Sequence, residues 1–131
     1  MTGNVLYIED NADNMVLVQR ALESRGYHLL KAMKGLDGVA TAEQQQVDLI
    51  LLDINLPDID GYEVARRLRS SAKHELARIP IIAVTANALK GDAQKALDAG
   101  CDVYMSKPIN IVQLIETVDG FVGKETQTGA A

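Results

Sequence analysis

Four polar groups lie far apart along this 131-residue chain, and each follows an apolar run of strand length. They are Glu9-Asp10, Asp53, Thr85 and Lys107-Pro108. In an open parallel sheet the carboxyl ends of the strands share one edge, so the four groups would meet in one pocket. Three carboxylates held that close raise one another's pKa unless a cation neutralises them. The set therefore indicates a divalent-metal site beside a phosphoryl acceptor.

The elements that must position these residues are strands and helices in alternation. The predicted strands are Val5 to Ile8, His28 to Ala32, Leu49 to Leu52, Ile81 to Val84 and Asp102 to Met105. The predicted helices are Ala12 to Arg25, Gly35 to Gln46, Gly61 to Ser71, Ala88 to Ala99 and Ile109 to Phe121. The third and fourth strands are almost wholly apolar, which is typical of central parallel strands buried on both faces. Five such units predict an α/β fold with helices on both faces of a parallel sheet.

Composition and charge exclude several classes of protein. Apolar residues make up 47% and charged residues 24% of the chain, as in ordinary globular domains. The net charge of -5 argues against a nucleic-acid partner, which requires a basic face. Apolar runs fall short of the about 18 residues that span a bilayer, and Met1 is not followed by a signal-peptide pattern. We therefore expect a cytoplasmic protein without a membrane partner.

The sequence also predicts the limits of the domain. We expect residues 1–122 to form one domain, because residues 123–131 are polar and aperiodic, as in a disordered tail or a truncated linker.

Cys101 is the only cysteine, which excludes an intrachain disulfide and a thiolate metal cluster. We expect it to be a small buried residue. Asn11 and Asn110 are candidate N-caps of the first and fifth helices.

The four polar groups together fit aspartyl-phosphate chemistry. A carboxylate at Asp53 is already a nucleophile and could attack phosphorus in line. Mg²⁺ suits the site because it keeps several waters and accepts phosphate oxygens as ligands. Thr85 could donate a hydrogen bond to a phosphoryl oxygen, and the Lys107 ammonium could balance its charge. His28 and His74, the only histidines, are predicted to lie away from this edge, so neither is expected to be a phosphohistidine and the phosphoryl group must come from elsewhere.

Each of these residues also has an ordinary structural interpretation. Asp53 could cap a turn, Asp10 could share the capping of the first helix, and Thr85 could be a plain strand residue. Lys107 could be a solvated surface lysine, although Pro108 favours a fixed turn there, in the trans or the cis form. The stretch from Asp53 to Gly61 is acidic but lacks the glycine placement and closing glutamate of a calcium loop.

Longer segments around these residues carry a family pattern. They are Ile8 to Asn11, Asp48 to Asp53, Leu56-Pro57 with Asp60-Gly61, Ile79 to Ala86, and Ala99 to Pro108. With them, the chain from about Val5 to Phe121 resembles the receiver domain of bacterial two-component response regulators. The resemblance implies five parallel strands in the order 2-1-3-4-5, flanked by five helices.

The resemblance also implies a role for each site residue. Asp53 would accept phosphate from a histidine kinase or a histidine phosphotransfer protein. The implied ligands of Mg²⁺ are Asp10, Asp53, the Asn55 backbone carbonyl and, through water, Glu9. Thr85 and Tyr104 would form the switch, with Thr85 moving to the phosphoryl group and the Tyr104 ring turning inward. From the residues alone, Tyr104 could equally be a half-buried strand aromatic.

A downstream protein partner would bind the face formed by the fourth helix, the fifth strand and the fifth helix. Candidate residues on it are Lys90, Gln94, Tyr104 and Gln113. Three features bear on the detail of the resemblance. The acidic pair is Glu-Asp where Asp-Asp is the other common form, and Tyr7 is an aromatic in a strand that is usually aliphatic. The resemblance also implies that Asn55 and Asn87 occupy the two positions that, in receivers, tune the lifetime of the phosphorylated state.

Several functional alternatives remain open at the level of sequence. The chain starts at Met1 and ends soon after its fifth helix, which favours a module without an output domain. The stretch from Thr85 to Asp92 also resembles receivers of hybrid histidine kinases, so an excised receiver is an alternative. We expect self-catalysed phosphorylation and dephosphorylation without turnover of a separate substrate. A phosphatase of the haloacid dehalogenase type would carry an aspartate where Asn55 stands, and an unphosphorylated scaffold is a third possibility.

Overall fold

A computed structural model describes residues 3–86 and 91–123 of the chain. Its strands are β1 (Asn4–Ile8), β2 (His28–Ala32), β3 (Leu49–Asp53), β4 (Ile81–Thr85) and β5 (Val103–Ser106). All pairings are parallel, and the order β2-β1-β3-β4-β5 confirms the expected sheet. The helices are α1 (Ala12–Glu23), α2 (Gly35–Gln44), α3 (Gly61–Arg69), α4 (His74–Ala77), α5 (Asp92–Ala99) and α6 (Ile111–Val118). A π-helical turn, Asp119–Gly123, follows α6.

The predicted strands are confirmed to within one residue at each end, whereas the helices are shorter than predicted. The four-residue helix α4 was not predicted, because one turn is too short to show a helical period. Of the predicted fourth helix, residues 88–90 lie outside the described residues, and its described part is α5. Of the predicted tail, Gly123 belongs to the π-helical turn and residues 124–131 are not described.

Two apolar cores cover the two faces of the sheet. Successive side chains of a strand point to opposite faces, so Leu49 and Leu51 join one core while Ile50 and Leu52 join the other. Helices α1 and α6 cover the first face, and α2, α3 and α5 cover the second. All five residues of β3 and of β4 are buried, as predicted for central strands. Within the part of the chain that the structure describes, no helix is long and apolar enough to cross a bilayer.

Side-chain caps fix the starts of three helices. The Asn11 side chain accepts a hydrogen bond from the Asn14 N–H at 2.9 Å, and Asn110 accepts one from the Gln113 N–H at 3.0 Å, as predicted. Asp60 caps α3 in the same way. Because α1 starts at Ala12, its cap also fixes the loop that carries Glu9 and Asp10.

The Arg69 guanidinium joins three segments at the amino-terminal edge of the sheet, opposite the predicted site. It donates to the carbonyl oxygens of Gly100 at 2.8 Å, Ile79 at 2.6 Å and Ala77 at 3.2 Å, and to Asp102 Oδ2 at 2.9 Å. The same Asp102 oxygen accepts the Ile81 N–H at 2.8 Å. These hydrogen bonds connect α3 to the segments that enter β4 and β5.

Replacing Arg69 should therefore destabilise the whole domain. Arg69→Met keeps much of the side-chain volume, but each of the three carbonyls and the carboxylate loses one hydrogen-bond donor. We expect the free energy of unfolding to fall by about 2–4 kcal/mol. Urea unfolding measures this loss. The control is Arg66→Met on the same helix, where the guanidinium is 55% exposed and pairs with Glu63, and we expect a change of about 0.5 kcal/mol or less. Equal effects of the two variants would contradict this assignment.

Candidate functional site

The carboxyl-terminal edge of the sheet brings the predicted acidic residues together. Glu9 follows β1 and Asp53 ends β3, and register places them side by side because Ile8 pairs with Leu52. Glu9 is 0% and Asp53 1% exposed, whereas Asp10 is exposed. One carboxylate oxygen from each of the three residues lies within 4.8 Å of the others. The structure thus forms the acidic cluster that the sequence predicts.

Lys107 supplies the positive charge at this cluster. Its Nζ donates to Asp53 Oδ2 at 3.1 Å and lies 3.7 Å from Glu9 Oε1. The backbone N–H of Lys107 donates to the Thr85 carbonyl at 2.8 Å, which fixes the loop after β5 beside β4. The Lys107-Pro108 peptide bond is cis. Lys107 is therefore a partner of both buried carboxylates rather than a solvated surface lysine.

The Glu9 carboxylate is oriented by three neutral donors. The Tyr7 hydroxyl donates to Oε1 at 2.9 Å, the Asn14 side-chain amide donates to Oε1 at 3.3 Å, and the Asn11 N–H donates to Oε2 at 3.2 Å. Sequence reasoning missed the contacts of Tyr7 and Asn14. The signal for Tyr7 was available, because residues two apart in a strand point to the same face.

Proximity of two buried carboxylates separates their pKa values. Burial and the adjacent Glu9 raise the pKa of Asp53 to about 6. Burial also opposes ionisation of Glu9, but hydrogen bonds from Asp53, Tyr7 and Asn11 outweigh it and hold the pKa of Glu9 below its ordinary value. Burial and the Glu9 charge raise the pKa of Tyr7, so its hydroxyl keeps its proton and donates.

The donor set fits a small divalent cation. Its protein atoms are carboxylate oxygens, which are the ligands that Mg²⁺ prefers. Three carboxylates face one ammonium, so the cluster carries excess negative charge when Asp53 is ionised. A bound cation would offset that charge and favour the ionised form of Asp53.

The loop after β3 is held in place by Asp58. Its carboxylate accepts the backbone N–H groups of Gly35 at 2.8 Å and Leu36 at 2.9 Å, at the start of α2. Slight burial opposes ionisation, but these donors lower the pKa of Asp58 to about 2. The same loop carries Asn55, whose N–H donates to Asp53 Oδ1 at 3.1 Å. Asp58 therefore connects the loop after β3 to the start of α2 through hydrogen bonds, a role that the sequence pattern did not predict.

The predicted switch residues lie at the edge of this site. Thr85 is 1% exposed, and its hydroxyl donates to Asp92 Oδ2, near the start of α5, at 3.3 Å. Asp92 was not predicted as a partner of Thr85. Tyr104 in β5 is 39% exposed, and Gln94 in α5 and Gln113 in α6 are also exposed. Asn87 and Lys90 lie outside the described residues.

The histidines and the cysteine lie away from the cluster. His28 starts β2 and His74 starts α4, and both are exposed. Cys101 is 5% exposed, as predicted, and burial raises the pKa of its thiol to about 11. A protonated, buried thiol is a poor nucleophile.

Comparison with known proteins identifies the family and the fold of the chain. The sequence pattern of the response regulator receiver domain matches residues 5–119. This chain belongs to the response regulator receiver domain family. As a receiver of two-component signalling, it is 42% identical over 123 residues to the polar-differentiation response regulator DivK of Brucella ovis, a match that covers 94% of this chain and 98% of DivK.

Solved receiver structures agree with the fold. The receiver domain of the sensor histidine kinase PA1611 of Pseudomonas aeruginosa is 36% identical, with a TM-score of 0.85 over 94% of this receiver and 99% of that chain. That structure holds a magnesium ion coordinated in its active site cleft. A CheY-like receiver of Methanospirillum hungatei is 26% identical, with a TM-score of 0.84 over 98% and 99% of the two chains.

The raised pKa of Asp53 predicts that its charge destabilises the metal-free receiver. In the unfolded chain this pKa is about 3.9, so folding stability falls as pH rises from about 4 to 6. Asp53→Asn should therefore raise the free energy of unfolding by about 1–3 kcal/mol at pH 7 in a chelator, and by much less below pH 4. Urea unfolding across this pH range measures the difference.

The control for this prediction is Asp98→Asn on the exposed side of α5, with an expected change of about 0.5 kcal/mol or less. Added Mg²⁺ should stabilise the wild type more than Asp53→Asn. A destabilised Asp53→Asn at pH 7 would contradict the assigned electrostatics.

Proposed function

We propose that this receiver accepts a phosphoryl group on Asp53 from a histidine kinase or a histidine phosphotransfer protein, and that phosphorylation switches the binding of a downstream partner. The observation that carries this proposal is the buried Asp53 carboxylate, in contact with Lys107 and beside Glu9 and Asp10. The similarity to DivK, a response regulator, and to the receiver of a sensor histidine kinase supports it.

In the proposed reaction, one Asp53 carboxylate oxygen attacks the phosphorus of a phosphohistidine. The new oxygen–phosphorus bond forms as the nitrogen–phosphorus bond breaks, and the histidine leaves with the electron pair. Lys107, 3.1 Å from Asp53, is close enough to balance charge on the phosphoryl oxygens. In hydrolysis, water attacks the phosphorus, the bond between phosphorus and the Asp53 oxygen breaks, and inorganic phosphate is released as Asp53 returns to its carboxylate.

The proposed magnesium ligands are the Asp10 and Asp53 carboxylates and the Asn55 backbone carbonyl, with Glu9 acting through water. Support comes from the clustered carboxylates of this receiver and from the magnesium ion in the cleft of the Pseudomonas receiver. When bound, Mg²⁺ neutralises negative charge on the phosphoryl oxygens and the carboxylates. Lys107 and the Asn55 N–H keep Asp53 oriented towards the open edge.

The proposed switch exchanges the acceptor of the Thr85 hydroxyl. Before phosphorylation Thr85 donates to Asp92, and afterwards it donates to a phosphoryl oxygen on Asp53. The Tyr104 ring, which is 39% exposed, turns inward behind it. This changes the face formed by α5, β5 and α6, where Leu97 and Val112 are exposed apolar residues that a partner could cover. A cytoplasmic location, which suits such partners, stays a prediction.

Beryllofluoride tests the phosphoacceptor directly, because it mimics a phosphoryl group on an aspartate. With Mg²⁺ and beryllofluoride, we expect chemical shift changes at Asp53, Thr85 and Tyr104 in nuclear magnetic resonance spectra. Asp53→Ala should abolish them, since the acceptor carboxylate is lost. The control Asp37→Asn, an exposed position on α2, should respond like the wild type. A wild type without a Mg²⁺-dependent response would overturn the proposed function.

We further propose that the receiver turns over no separate substrate. An aspartyl-phosphate phosphatase of the haloacid dehalogenase type needs an acid two residues after its nucleophile, and Asn55 cannot donate a proton in that way. We expect hydrolysis of p-nitrophenyl phosphate to stay at the level of the Asp53→Ala variant. Multiple turnovers per molecule of wild type, lost in Asp53→Ala, would favour the phosphatase instead.

A further inference from the structure

Tyr7 places a phenol hydroxyl directly behind the acidic edge. The side chain is 0% exposed, and its ring lies in the core that α1 and α6 cover. Its hydroxyl donates to Glu9 Oε1 at 2.9 Å. A phenylalanine would fill the same apolar position without burying a polar atom. Because Tyr7 does bury a hydroxyl, that hydroxyl needs an acceptor, and the Glu9 carboxylate is that acceptor.

Because the Glu9 side chain is long, the position of its carboxylate depends on the groups that hydrogen-bond to it. A glutamate has one more rotatable bond than an aspartate, so its carboxylate can take more positions at the edge. Lys107 Nζ lies only 3.7 Å from the oxygen that Tyr7 binds, and 3.1 Å from Asp53. If Glu9 moved towards Lys107, the ammonium would be drawn away from the phosphoacceptor.

The other donors to Glu9 do not replace this hydrogen bond. The Asn14 amide reaches the same oxygen at 3.3 Å, and the Asn11 N–H reaches the second oxygen at 3.2 Å. Asn11 lies in the loop before α1 and Asn14 lies in α1, whereas Tyr7 lies in β1. The hydroxyl is thus the shortest contact and the one that reaches Glu9 from the sheet.

We propose that Tyr7 is a positioning residue of the receiver site, whose hydroxyl holds the Glu9 carboxylate ready to bind Mg²⁺ through water and leaves Lys107 to Asp53. This inference rests on the proposed magnesium-dependent function. An oriented carboxylate needs no rearrangement when the cation binds, and loss of such a supporting contact typically weakens metal binding by about 10-fold or more.

The test is the Mg²⁺ dissociation constant of Tyr7→Phe, measured by isothermal titration calorimetry at neutral pH. We expect binding to weaken by about 10-fold. The matched control is Tyr27→Phe, which removes a hydroxyl that donates to Asp119 at the opposite end of the sheet, and which should bind Mg²⁺ like the wild type. A cooperative urea unfolding transition of each variant in a chelator shows that the metal-free protein, from which the titration starts, is folded.

A double-mutant cycle separates positioning from a general effect on the fold. In a Glu9→Asp background the shorter carboxylate cannot occupy the same place, so Tyr7→Phe should cause no further loss of Mg²⁺ affinity. An equal loss in both backgrounds, or wild-type affinity in Tyr7→Phe alone, would overturn the inference and leave the proposed function intact. A wild type that binds no Mg²⁺ would overturn both.

Discussion

The structure depends on holding two carboxylates, Glu9 and Asp53, side by side in a buried edge. Their repulsion and burial oppose the charged state, which is why the pKa of Asp53 is raised to about 6. Lys107 balances one negative charge, and hydrogen bonds to Glu9 stabilise another. A bound cation would offset the remaining negative charge, and it would favour the ionised, nucleophilic form of Asp53 that the raised pKa otherwise opposes.

The rest of the fold resists that repulsion. Register between β1 and β3 sets the spacing of the two carboxylates, and both strands are packed on two faces by apolar cores. Asp58 ties the loop after β3 to α2, and Asn11 fixes the start of α1. At the opposite edge, Arg69 joins α3 to the segments that enter β4 and β5. These contacts hold the strands that keep the two buried carboxylates side by side despite their repulsion.

The neighbourhood of Thr85 explains how a change of charge at Asp53 could reach the surface. Thr85 lies one residue beyond the partner of Asp53 in β4, and its hydroxyl contacts Asp92 at the start of α5. A hydroxyl that can donate to either of two acceptors is sensitive to the charge at each. Thr85 therefore lies between the strand end that carries Asp53 and the start of α5.

Local patterns along the chain predict the five strands, the sheet edge at which they end and the types of residue found there. Apolar runs and helix caps are local signals, so β3, β4 and the caps Asn11 and Asn110 follow from them. The resemblance supplied the strand order, which the structure confirms. In the described part, four of the five predicted helices end two or three residues beyond the observed ends, because packing and not periodicity decides the last turn.

Which side chains contact one another is set by the three-dimensional fold. The contacts of Tyr7 with Glu9, Asp58 with the start of α2, Thr85 with Asp92, and Arg69 with Asp102 depend on strand register and loop path. Hydrogen bonds require separations near 3 Å, and no pattern of residue types along the chain specifies distances that fine. The sequence thus determined the chemistry available at the edge, and the fold decided how each charge is held there.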